Sequence, residues 1–356
     1  MSRAISLAKR GRYTCDPNPR VGCVIVRDGK IIAEGWHAIC GEAHAEINAL
    51  KDCDDATGAT VFLTLEPCSH DGRTPPCVDA LIKANVNEVI IAMTDPNPLV
   101  SGSGIKKLEE SGIVVKQGLQ EADAIKLNPG FIKRMKFGLP HVQCKMAMSI
   151  DGRTALENGD SQWISSKQSR NDVHRLRAAS TAILSTVDTI NKDNACLNAR
   201  DLDFNIKQPI RVIIDRQLKI STQAKLFQLS EDEAGKVFIY TEVEDSKRVA
   251  ELNQLGAEVI YMVSSDSWLH DVLLHLAKEF EVNEVMIEAG ATFVGALFGL
   301  KLVDELVVYM APLLLGDTAK ALVSLPPLKK LVDANKLNLI DIRQIGDDIR
   351  LTYNVD

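Results

Sequence analysis

The chain has 356 residues, 46% hydrophobic and 25% charged, an ordinary globular balance with room for two domains. Its formal net charge of −7 argues against a general nucleic-acid surface, which would need a basic patch. No apolar run reaches about 18 residues and Met1 to Gly11 lacks the apolar core of a secretion signal, so no membrane span is expected and a cytoplasmic setting is.

Val21 to Val26 and Lys30 to Gly35 are short apolar runs separated by Asp28-Gly29, which predicts two strands joined at a tight turn. His44 to Leu50 predicts a helix beginning at about His44. Thr60 to Glu66 reads as a buried strand ending at Pro67-Cys68, and Pro76-Cys77 opens a helix over Val78 to Ala84. A strand over Glu88 to Met93, a turn at Asp95 to Pro98 and a helix ending near Gly112 continue the alternation. Glu121 to Phe137 is expected to be mostly helical, and Gly138-Leu139-Pro140 marks a domain boundary, giving domains 1–139 and 140–356.

The second half again alternates. Strands are predicted over His141 to Ser149, Ala182 to Ser185, Ile210 to Ile214, Val237 to Tyr240, Val259 to Met262, Val285 to Glu288 and Leu306 to Met310. Helices are predicted over Ser166 to Ala179, capped by Ser165 or Ser166, and over Asp245 to Leu255, Ser267 to Phe280 and Thr292 to Leu300. Asn338 to Ile345 and Ile349 to Val355 form a late hairpin, and Thr222 to Gly235 is expected to be an exposed excursion. Strands alternating with helices in both halves predict α/β layers.

Chemistry concentrates between His44 and Cys77. One imidazole (His44) and two thiolates (Cys68, Cys77) suit tetrahedral Zn2+ with one open position. Glu46 follows two residues after His44, where only the loose geometry of a first helical turn lets both share a site. A carboxylate there can carry a proton between water and a leaving amine. Two rival readings are a structural zinc closed by His70 and a metal-free loop. Cys15, Cys23, Cys40, Cys53, Cys144 and Cys196 read as small packing residues, and eight cysteines here do not form a disulfide framework. In the second half there is no Gly-x-Gly-x-x-Gly fingerprint; Glu288-Ala289-Gly290-Ala291-Thr292 offers a strand end, a glycine and a helix N-terminus that could hold phosphate, or simply a tight turn.

His-x-Glu followed by Pro-Cys and a further cysteine is the pattern of the zinc base deaminases. Here eight residues, Ser69 to Pro76, separate the cysteines where the general pattern has two. Pro67-Cys68-Ser69-His70, Gly72 to Cys77, and Pro17-Asn18-Pro19-Arg20 through Val26 resemble the deaminase half of the bifunctional riboflavin-biosynthesis deaminase/reductases. That resemblance implies that Asn18, His37, His70 and Arg73 line a pyrimidine and phosphate pocket. Read alone, Asn18 is a turn residue, His37 a packed histidine and Arg73 a solvated surface arginine.

Lys145 to Arg153, Ser161-Gln162-Trp163-Ile164, Arg211 to Asp215 and Glu288-Ala289-Gly290 resemble the reductase half of the same family. The resemblance implies a cytidine-deaminase-like three-layer α/β/α domain followed by a dihydrofolate-reductase-like α/β domain that uses NADPH. Carried over by position, Ala147, Trp163, Thr189, Asp193, Gly290, Ala291, Thr292, Phe293, Val294, Gly295 and Ala296 contact NADPH; Ser161, Arg177, Leu197, Arg200 and Glu288 contact substrate. Two positions depart from the family pattern: Asp193-Asn194-Ala195, and Arg216, which would add a cation near the cofactor's extra phosphate. The reading is deamination of a small phosphorylated pyrimidine followed by reduction of its ribosyl group, in a homodimer or homotetramer, with no nucleic-acid or membrane partner. A nucleic-acid base deaminase with an accessory domain, and a non-catalytic zinc-stabilised binding protein, are the alternatives.

Overall fold

The computed structural model describes residues 1–69, 75–98 and 100–355, which divide into two compact units, Met1–Leu139 and Pro140–Asp356. In unit one the order is α1 (Ser2–Ala8), β1 (Gly22–Arg27), β2 (Lys30–Trp36), α2 (Ala45–Lys51), β3 (Thr60–Leu63), α3 (Cys77–Lys83), β4 (Glu88–Ile91), α4 (Ser103–Glu110), β5 (Val114–Gln117), α5 (Glu121–Ile125) and α6 (Pro129–Phe137). The strands form one sheet in the order β2-β1-β3-β4-β5, antiparallel across β2, β1 and β3 and parallel across β3, β4 and β5.

Asp28 and Gly29 turn β1 into β2 at φ 52° and 73°, the positive-φ pair of a two-residue hairpin. Cys23 and Ile25 of β1 pack with Ala45 and Ala49 of α2, whereas Val24 between them packs with Ala4 and Leu7 of α1. Alternate side chains therefore bury against helices on opposite faces, which makes the layered sandwich. The helices sit close. A Cβ at Gly22 would lie 2.0 Å from the Ala4 carbonyl oxygen, and one at Gly35 2.3 Å from that of Ala45. The helix expected over Glu121 to Phe137 is broken into α5 and α6, because Pro129 has no N–H to continue the ladder and starts a new helix instead.

Unit two contains β6 (His141–Ser149), β7 (Arg153–Ala155), α7 (Lys167–Ala179), β8 (Ala182–Thr186), α8 (Val187–Asp193), β9 (Ile210–Ile214), α9 (Glu231–Ala234), β10 (Val237–Thr241), α10 (Ser246–Gln254), β11 (Ala257–Tyr261), α11 (Trp268–Glu279), β12 (Glu284–Ile287), α12 (Ala291–Gly299), β13 (Glu305–Ala311), β14 (Lys320–Ala321), β15 (Leu337–Ile345) and β16 (Asp348–Val355). Nine strands form one sheet in the order β11-β10-β9-β8-β12-β6-β13-β16-β15. It is parallel from β11 to β13 and antiparallel over the final hairpin. β8, β9 and β10 are buried almost throughout, as strands covered on both faces must be.

The segment from Thr222 to Gly235 exposes its polar side chains as expected, but it is anchored to the core. Leu226 and Ala234 are fully buried, and the buried Arg211 guanidinium donates to the carbonyls of Leu226 (2.6 Å) and Gly235 (2.7 Å). A desolvated cation needs acceptors, and this stretch of backbone supplies them. Its polar residues conceal three apolar anchors, Ala224, Leu226 and Ala234, and a capping box between Ser230 and Glu233.

Candidate active sites

In unit one, His44 is the N-cap of α2, Cys68 follows β3, and Cys77 is the first residue of α3. The three ligand atoms lie within 4.8 Å of one another, with His44 Nδ1 3.3 Å from Cys77 Sγ and 3.6 Å from Cys68 Sγ. The edges of a zinc tetrahedron with these ligand types are about 3.5–3.8 Å, so one dication fits the set. The hydrogen bond from Cys77, with His44 nearby, brings Cys68 down to about 4, and donating that bond raises Cys77. The Cys77 backbone N–H, at the start of α3, also points at Cys68 Sγ (3.3 Å).

Glu46 is 3% exposed, and its Oε2 is buried with no partner. Burial pushes its carboxyl up to about 7 against the pull of its own backbone N–H and of His44. A buried carboxyl that exchanges protons near neutrality is the group a hydrolytic deamination needs. His37 packs edge-on to His44, ring centroids 5.3 Å apart. Its Nδ1 meets the Ala43 carbonyl (3.1 Å) and its Nε2 the Asn18 Nδ2 (3.1 Å). Desolvation lowers its pKa, so His37 is a neutral ring holding Asn18 beside the metal ligands. His70 and Arg73 lie outside the described residues.

The carboxyl ends of β8, β9 and β12 open into a cleft of about 1360 Å³ in unit two. Ligands bind at such strand ends in α/β sheets. Ala147, Ser161, Trp163, Arg177, Thr189, Asp193, Leu197, Arg200, Arg216, Glu288, Gly290 to Phe293 and Ala296 all line it. Val294 and Gly295 do not: Val294 is fully buried, and a Cβ at Gly295 would lie 1.9 Å from the Ser324 carbonyl oxygen. Both residues face away from the cleft because α12 shows only one side to it. Nine basic and five acidic side chains line this cleft, an excess of positive charge in an acidic chain. It is built for anions.

Arg177 does not stand free for a phosphate. Its Nε and Nη2 grip Glu288 at 2.5 and 3.0 Å, and Nη1 donates to the Asn198 carbonyl. Burial would raise the Glu288 carboxyl, but Arg177 and then Lys145, 3.9 Å away, hold it down at about 2. Trp163 is 66% exposed with the Arg170 guanidinium 4.5 Å above its ring, so it is not a core aromatic. Arg216 pairs with Glu242 (2.5 Å) and lies over the Trp268 ring. Asn194 ends α8 at φ 49°, a left-handed cap that asparagine tolerates better than most residues.

Residues 1–93 match the family described as the cytidine and deoxycytidylate deaminase zinc-binding region, and residues 140–351 match the RibD C-terminal domain. The riboflavin biosynthesis protein RibD of Escherichia coli (strain K12) is 45% identical over 363 residues, 99% of this chain and 97% of that one. The chain belongs to the RibD family. The Haemophilus influenzae RibD is 44% identical over 99% of this chain and 96% of its own. A solved Acinetobacter baumannii RibD superposes with a TM-score of 0.92 at 41% identity, covering 100% of this chain and 97% of that one. A Thermotoga maritima structure described as a diaminohydroxyphosphoribosylaminopyrimidine deaminase/5-amino-6-(5-phosphoribosylamino)uracil reductase gives 0.87 at 33% identity over the same shares. The chain is thus a bifunctional enzyme of riboflavin biosynthesis, with a cytidine-deaminase-like zinc domain and a dihydrofolate-reductase-like domain that uses NADPH.

Several residues of these sites are not legible in the sequence. Glu66 is buried and accepts from the backbone N–H groups of Asp95, Gly102 and Gly104, tying the loop that carries Cys68 to the start of α4. In the reductase cleft, Lys145, Arg170 and His174 were not singled out. The regular spacing of Arg170, His174 and Arg177 along α7 was the available signal. No helix among the described residues is long and apolar enough to cross a membrane.

Proposed function

We propose that residues 1–139 carry the deamination and residues 140–356 the reduction, in succession on one phosphoribosyl pyrimidine. The first site hydrolyses the 2-amino group of 2,5-diamino-6-(5-phosphoribosylamino)pyrimidin-4(3H)-one; the second reduces the ribosyl group of the product to ribityl. The observation that carries the reading is the buried Glu46 carboxyl, one oxygen of it unpartnered, beside one nitrogen and two sulfur donors. His44 Nδ1, Cys68 Sγ and Cys77 Sγ would hold zinc, which when bound supplies Lewis acidity toward the attacking water. Glu46 takes that water's proton and returns it to the departing amine. Asn18 and the neutral His37 orient the ring, and His70 and Arg73, by sequence alone, meet the phosphate.

In the reductase site Ala147, Trp163, Thr189, Asp193 and the N-terminus of α12 at Gly290 would hold NADPH, which when bound supplies the hydride. Arg216, which lines the cleft and pairs with Glu242, would offer a cation to the cofactor's extra phosphate. Ser161, Leu197, Arg200 and the Arg177–Glu288 pair hold the substrate. Arg200, whose side chain is half exposed, takes the ribosyl phosphate. Supplying the diaminopyrimidine with and without NADPH tests this. Ammonia should appear in both, and the ribityl product only with NADPH; ammonia alone in both would sink the bifunctional reading. Glu46→Gln should slow deamination by at least about 100-fold while a supplied deaminated intermediate is still reduced.

We also propose a homodimer through β15. This edge strand exposes Leu339, Ile340 and Ile342 at 49%, 52% and 59%. Long apolar edges are rarely left uncovered.

A further inference from the structure

Helix α7 turns Arg170, Asn171, His174 and Arg177 toward the reductase cleft. Arg170 is occupied by Trp163 and the Ser165 carbonyl, and Arg177 by Glu288 and the Asn198 carbonyl. His174, one turn from each, differs. It is 7% exposed and lines the cleft, yet its Nδ1 is buried with no hydrogen-bond partner. A buried polar atom left unmatched is costly unless something arrives to match it.

The charge state of the ring narrows what can arrive. Burial, followed by the charges of Arg177 and Arg200, lowers the His174 pKa to about 4. The ring is therefore neutral at ordinary pH. The Asn198 backbone carbonyl faces the ring and favours a ring N–H, and because Nδ1 has no partner that N–H belongs on Nε2. That assignment follows from the surrounding network and leaves Nδ1 as a lone-pair acceptor. Phosphate and carbonyl oxygens only accept, so neither matches it. A hydroxyl does. In a ribosyl phosphate the hydroxyls lie between the phosphate, which Arg200 takes, and C1′, which the hydride must reach.

We propose that His174 is a further substrate-binding residue of the reductase site, its Nδ1 accepting a hydrogen bond from a ribosyl hydroxyl of the substrate. The inference rests on the reductase reading given above. It deepens that reading by naming how the sugar, rather than the base or the phosphate, is held.

The test uses the full-length enzyme, the deaminated ribosyl intermediate, and its 2′-deoxy and 3′-deoxy analogues. His174→Phe should raise the KM for the intermediate about 10-fold, the order of one net hydrogen bond. The KM for NADPH and the deamination rate should stay unchanged. His174→Asn, whose Oδ1 stands near the position of Nδ1, should recover most of the loss. One deoxy analogue should lose about the same factor with the native enzyme and nothing further with His174→Phe. An unchanged KM in His174→Phe, or equal deoxy penalties in both proteins, overturns the assignment. If His174→Phe does not fold, the same deoxy comparison between native enzyme and His174→Leu, which also lacks the acceptor, decides. A native enzyme that fails to reduce the intermediate at all removes the reductase reading itself; a native enzyme that reduces it, with a variant indistinguishable from it, removes only the role of His174.

Discussion

A buried imidazole that must stay neutral makes stability depend on pH over a definable window. The His174 pKa falls from its ordinary 6.5 to about 4 in the folded chain. Above pH 6.5 neither state binds the proton, and the folded state bears no penalty. As pH falls from 6.5 toward 4, the unfolded chain takes the proton first and stability declines, by at most about 3 kcal/mol. Glu288 acts lower: held at about 2 against an ordinary 4.5, it contributes above pH 4.5 and its contribution is lost as pH falls toward 2. His174→Asn should therefore flatten the change in urea midpoint between pH 7.5 and 4.5 without altering the steeper loss below pH 4. Equal slopes for both proteins over the upper window would contradict this. The contrast with His44 shows what can be read from a sequence. His44, Glu46, Cys68 and Cys77 were legible because zinc hydrolysis accepts few residue types. His174 and Glu66 were not, because a polar residue on a helix or at a strand end looks the same whether it faces water, a cleft or a loop.

At the scale of elements, legibility followed burial. The apolar runs of β8, β9 and β10 read directly as strands because both faces are covered. β5 was passed over since it is an edge strand with Val114 51% exposed and no apolar alternation to mark it. α8 was passed over too: its start depends on the Thr186 side chain accepting from the Thr189 N–H, while its body carries few apolar residues. The start of α12 was read as a contiguous cofactor stretch, but a helix shows one face at a time. Gly295 lies on the packed face against Ser324. Gly295→Ala has no room for its methyl and should cost about 1–3 kcal/mol, with the helix N-terminus displaced from the cleft. A lower melting temperature together with a raised KM for NADPH is expected. A lower melting temperature with unchanged KM would show that α12 shifts without carrying the cofactor. Edge strand β15 gives the matching prediction for assembly. Ile342→Lys should convert a dimer to monomers in sedimentation experiments, and an unchanged mass would exclude β15 as the contact.

For the molecule as a whole, the division at Leu139 and Pro140 implies that each chemistry depends on its own unit. The zinc ligands come from three places in unit one: the cap of α2, the loop after β3 and the start of α3. Metal binding therefore ties three segments together, and its free energy adds to the stability of that unit. Removing it leaves these segments joined at the site only by the hydrogen bonds among Cys68, Cys77 and His44, with one Glu46 oxygen buried and unpartnered. No ligand from unit two enters this set among the described residues. A strong zinc chelator should thus abolish ammonia release and lower the calorimetric transition of unit one. Reduction of a supplied deaminated intermediate should remain within about 2-fold, because its cleft is lined entirely by unit-two residues. Restoring Zn2+ should return the first activity without changing the second. Parallel loss of both activities under chelation, with the second transition also displaced, would mean that the zinc centre supports the reductase as well, and that the two halves are coupled in stability rather than merely joined in sequence.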